Sequence, residues 1–94
     1  SAWDECTAWC TRAAIFKGAE GLAAARQAVE ITAKYQQPIL QARAAFELAR
    51  QLMASDRAAA ATALADAERR FGLLECNHWL GELDTFRRRA AGVA

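Results

Sequence analysis

Pro38 is the only proline in the 94-residue chain, and it falls inside a stretch from Leu22 to Phe71 that holds no glycine. Proline has no amide hydrogen to give a helix ladder, and its ring disfavours helical geometry in the residue before it. Gln36 and Gln37 must therefore end one helix or lie at a kink. A straight helix from Leu22 to Ala54 would be about 50 Å long, too long for a domain of this mass. The favoured reading is a break, with Pro38 opening a new helix at its first position.

Around that break almost every segment favours helix. Alanine supplies 25 residues, valine occurs only at Val29 and Val93, and no stretch alternates polar with apolar for long. A first helix is expected from about Ala2 to Lys17, a turn bracketed by Gly18 and Gly21, and a second helix from about Leu22. The third starts at Pro38, and Ser55 is the expected N-cap of a fourth helix running to Phe71. Gly72 ends that helix, a last one starts between Leu73 and Asn77, and Gly92 opens a frayed tail. The predicted fold is a single all-α domain over 1–94, a small antiparallel bundle of four to five helices with a thin, alanine-rich core. The hairpin from Phe46 to Gly72 is similar in length to a tetratricopeptide unit. It lacks that family's Trp-x-x-Leu-Gly opening and terminal proline, and no repeat with shared signature residues is visible.

A thin core makes any staple matter, which directs attention to Cys6, Cys10 and Cys76. Cys6 and Cys10 lie one helical turn apart with side chains running parallel, a poor geometry for bridging each other. The expected disulfide joins Cys76 to Cys10 or Cys6, stapling the first helix to the last. It would contribute about 4 kcal/mol and make Cys76→Ser more costly than replacement of one of Cys6 and Cys10. A disulfide also implies an oxidising compartment, so the expected location is periplasmic or secreted. The alternative is zinc on a Cys3His set of Cys6, Cys10, Cys76 and His78, the donor types zinc accepts in closed sites. It requires residues 76 to 78 to be non-helical, because on a helix Cys76 and His78 point about 200° apart.

Other chemistry finds little foothold. His78 is the only histidine, no Ser–His–Asp set surrounds it, and Glu75-Cys76-Asn77-His78 lacks the second cysteine of a haem-attachment motif. No Glu-x-x-His supports a di-iron site, and the acidic residues read as solvated or as partners of nearby arginines, Asp66 with Arg69 or Arg70 and Asp84 with Arg87 or Arg88. Arg87, Arg88 and Arg89 complement the dipole of a helix end and could meet an acidic partner. With a net charge of +1, no basic stripe points to nucleic acid, and no apolar run is long enough to span a membrane. The aromatic load is large for such a core, and Trp3, Trp9, Trp79 and Tyr35 are candidate interface anchors. Ten arginines to two lysines resemble the usage of a GC-rich bacterial gene. The expectation is a non-enzymatic helical protein-interaction module without cofactor, of the adaptor, chaperone-like or immunity type. Its partner would be another protein or a second copy of itself.

Overall fold

The computed structural model describes residues 1–92 and contains five helices and, among those residues, no strand. They are α1 (Ala2–Ile15), α2 (Gly18–Lys34), α3 (Pro38–Leu52), α4 (Arg57–Leu73) and α5 (Asn77–Ala90). Pro38 sits at the first position of α3, as expected. The chain reverses before it through Gln36, whose φ of +49° lets the Gln37 amide donate back to Thr32 O at 3.2 Å. The first turn is tighter than the sequence reading had it. α2 already begins at Gly18, which takes φ +63°, and Gly21 lies within the helix. Asp56, not Ser55, caps α4, its carboxylate accepting from the Ala59 amide at 3.0 Å. Gly72 is likewise helical, because glycine within a helix lowers its stability without forbidding it. Gly92 takes φ +76° just beyond α5, and the rest of the expected tail, Val93 and Ala94, lies outside the described residues.

The five helices form an all-α bundle, as expected, with its helices arranged in two layers. α1 pairs with α2 and α3, α2 with α3, α3 with α4, and α4 with α5. Phe46 of α3 also meets Trp79 and Phe86 of α5, so α1, α3 and α5 make one layer. α2 and α4 make the other, with Val29 and Ala63 bordering the same crevice. The slab measures 40 × 32 × 19 Å, its thinnest dimension about two helices deep.

Within this array a unit recurs every 39 residues. α2 and α4 have the same length at that offset, their C-terminal turns put Gln36 and Glu75 at positive φ, and α3 and α5 start at Pro38 and Asn77. The Cys76 amide donates to Phe71 O just as Gln37 donates to Thr32 O. Gly21, Ala25, Ala28, Thr32 and Ala44 are buried in the first unit, and Ala60, Leu64, Ala67, Phe71 and Leu83 in the second. The repeat escapes the sequence because it lies in which positions are buried, not in which residues fill them.

The two halves are sealed differently. Around α1, α2 and α3 most buried residues are small, among them Cys6, Cys10, Ala13, Ala25, Ala28 and Ala44, with Ile31 and Leu40 the larger exceptions packed on Cys6. Around α3, α4 and α5 the core is aromatic, with Phe46 edge-on to Phe71, Trp79 and Phe86 at centroid distances of 6.4, 6.2 and 5.8 Å, and Phe71 stacked on Trp79 at 5.6 Å.

The expected staple is absent: all three cysteines are free. α1 and α5 lie on opposite sides of α3. Cys6 and Cys10 are fully buried, their thiols directed at Ile31 O and Leu40 O at 3.8 Å, whereas Cys76 packs on the aromatic core. The expectation of a periplasmic or secreted location rested on that bridge and loses its premise.

Two outcomes follow from this packing. Phe46→Ala is expected to destabilise the fold by about 3–5 kcal/mol, read by urea denaturation, since it removes the ring on which three others rest. The cysteine order should be the reverse of a stapled protein: Cys6→Ser and Cys10→Ser lower the melting temperature more than Cys76→Ser, because only the first two place a hydroxyl in a fully enclosed site.

Candidate functional site

The arrangement with chemical potential lies on α3, where Arg43, Glu47 and Arg50 recur at helical spacing. Glu47 is 1% exposed, the only buried acidic residue among those described. α3 encloses it because this helix is flanked by α1 on one side, α5 on the other and both α2 and α4 behind. Its Oε1 accepts from Arg50 Nη1 at 3.1 Å, while Oε2 is buried with no hydrogen-bond partner. Arg43 Nε and Thr7 Oγ1 are likewise buried and unpaired. Burial raises the Glu47 carboxyl above its usual value, against the pull of Arg50 and Arg43. Burial also pushes the Cys10 thiol up to about 11, so the opposing pull of Arg43 does not make it a reactive thiolate.

Glu47 lies at the wall of a cleft of about 560 Å³ between the end of α1, the start of α2 and the end of α3. Ala13, Ala14, Leu22 and Ala54 supply apolar lining, and Lys17 and Ser55 add polar groups. Gln51 fixes one side. Its Nε2 donates to Ala13 O at 2.7 Å and Phe16 O at 2.9 Å, tying α3 to the last turn of α1. Gly21 permits this approach, since a Cβ there would come within 2.4 Å of Phe16 O and 2.6 Å of the Gln51 amide. The two arginines are held by aromatic faces, with Arg50 4.1 Å from the Phe46 centroid and Arg43 5.7 Å from that of Trp79.

The residues singled out from the sequence are scattered over the slab. Trp3 is half-exposed on α1. Trp9 is half-buried under the Arg12 guanidinium at 4.6 Å, beside an open groove that also includes Phe16. Tyr35 caps α2 beside Lys34, and Trp79 packs on the aromatic core. Arg87 reaches across to Glu68 of α4, Arg88 pairs with Asp84, and Arg89 is exposed. Asp66 binds both Arg69 and Arg70, at 2.7 and 3.0 Å. Cys6, Cys10, Cys76 and His78 do not converge: Cys76 and His78 stand at the start of α5, across α3 from the α1 cysteines. Among the described residues no group of three or more His, Cys, Asp or Glu is placed to hold a metal ion.

The sequence reading takes Glu47 as a solvated acid or the partner of a nearby arginine; the arginine partner is present in Arg50, but the carboxyl is buried rather than solvated. The available signal was its register: Glu47 falls one residue after Phe46, between Ala44, Ala45 and Ala49, on a helix apolar around most of its circumference.

The two perturbed carboxyls act in separate pH ranges. Glu47 binds its proton more tightly in the folded chain. Its contribution to stability is complete below its usual value of 4.5 and is lost as pH rises through the raised one. At Asp66 burial acts upward, but the hydrogen bonds from Arg69 and Arg70 outweigh it and hold the carboxyl low. Its contribution is therefore present above 3.8 and lost as pH falls through the lowered value. Glu47→Gln is expected to raise the melting temperature at neutral pH and to flatten its decline above pH 4.5, as followed by circular dichroism. A scan against protein-family models, a search of curated proteins and a search of solved structures each find no match to this chain.

Proposed function

We propose that the chain is a helical-repeat protein-interaction module that receives an extended segment of a partner protein on the α1–α3–α5 layer. The observation that carries this reading is the stacked helix–turn–helix unit recurring at 39 residues. Units of this kind cannot bury their apolar faces alone, and stacking them leaves a continuous side-chain layer suited to binding an extended chain. The cleft at Glu47 supports the same reading. At about 560 Å³ it has room for a few side chains, not for a folded domain. Phe16, partly exposed just after α1, adds apolar contact area near the cleft, and Trp3 exposes more at the opposite end of the same helix.

Panning a random peptide display library against the folded protein tests the proposal directly. The expected result is a set of peptides with micromolar dissociation constants whose binding is lost in Ala14→Trp and kept in Ala65→Trp. Ala14 is an exposed residue at the cleft, and Ala65 is an exposed residue of α4 in the other layer. Enrichment of no fold-dependent binder, or equal sensitivity to both substitutions, overturns it.

A further inference from the structure

We propose that the cleft between α1 and α3 recognises a cationic side chain on an aliphatic stem, a lysine of the partner segment, with Glu47 Oε2 receiving its ammonium group. The partner segment as source rests on the interaction-module reading; the chemistry of the cleft does not.

Glu47 is enclosed, and one of its two oxygens has no donor. Leaving a charged oxygen buried and unpaired is among the costlier states a folded chain can hold. A ligand that brings a donor to that atom relieves the cost on binding, and a cationic donor does so most strongly because its hydrogen bond is charge-assisted. The remainder of the cleft suits the stem of such a donor. Ala13, Ala14, Leu22 and Ala54 offer apolar surface to a run of methylenes, the manner in which long basic side chains pack. Helices α1 and α3 both end beside the cleft and the negative ends of their dipoles favour a positive group there, while the N-terminus of α2 at Gly18 opposes it, so the attraction rests on Glu47.

Lys17 and Arg50 are the cations among the cleft's lining residues, and both oppose the arrival of another. Lys17 is exposed, where water and salt screen it. Arg50 is 35% exposed and already holds Oε1. Arg50 keeps its hold on Oε1, so the incoming ammonium adds a donor at Oε2 rather than replacing one on Glu47. Arg43 stays on the Trp79 ring and acts on the carboxylate from the other side.

The test is an NMR titration of the ¹⁵N-labelled full chain at neutral pH with Nα-acetyl-lysine methylamide, its neutral analogue Nα-acetyl-norleucine methylamide, and Nα-acetyl-glutamate methylamide. Saturable amide shifts at Ala14, Lys17 and Gln51 are expected with the lysine compound alone. Affinity should fall by about tenfold or more in Glu47→Gln, the change expected when a charge-assisted contact is lost. Ala54→Leu, which fills the cleft at an exposed position and leaves Glu47 intact, should weaken binding similarly. Equal binding of norleucine, a preference for glutamate, unchanged affinity in Glu47→Gln, or no saturable shift with lysine each overturns the proposal. Lysine binding together with failed peptide panning would keep the cation site and remove the partner reading. Successful panning of peptides that bind without a basic residue would do the opposite.

Discussion

Phe46 is the residue on which the array closes. Its ring meets Phe71 from α4 and Trp79 and Phe86 from α5, so a single side chain of α3 orients both later helices. The opposite flank of the same helix, through Leu40 and Ala44, receives α1 and α2. A 94-residue chain buries too little apolar surface to support two independent cores. Sharing α3 between them resolves that shortage, and it leaves α3 with apolar neighbours around nearly its whole circumference.

This sharing explains the position of Glu47. A helix with one solvent face can place every charged residue there. α3 has only a narrow strip free, along Arg43, Glu47 and Arg50, and the glutamate on it is covered by its own neighbours. Arg43 and Arg50 remain partly accessible because their stems are long enough to carry the charge outward along aromatic faces, whereas the shorter glutamate is not. The unpaired Oε2 is thus a consequence of how the fold is economised, and the same geometry turns that atom toward a binding role.

Helix content, the break at Pro38 and the ion pairs of Asp66 and of Asp84 with Arg88 were legible in the sequence because each depends on residues within one turn of one another. The layer architecture was not. Thr32 and Phe71 occupy the same place in successive units, as do Ala25 and Leu64 and Ala44 and Leu83, so the recurrence is one of burial across residues of unlike size. Small residues suffice where helices approach closely, as at Gly21, and large ones are required where the gap is wider, as around Phe46. The disulfide expectation failed for a related reason. It assumed a closed bundle in which first and last helices are neighbours, whereas an open two-layer array sets α1 and α5 apart by the width of α3.

The cysteines then take on a different meaning. Cys6 and Cys10 sit at helical spacing with Ala13 along the seam where α1 packs on its neighbours, fully enclosed and with thiols directed at backbone carbonyls. A residue larger than cysteine would hold the helices apart, and alanine would leave a void between them. The thiol is the size that keeps α1 close enough for Gln51 to reach its last-turn carbonyls. Since that contact forms one wall of the cleft, the small-residue seam is what sets the distance from α1 to Glu47, and packing on one side of α3 thereby shapes the only chemistry on its open strip.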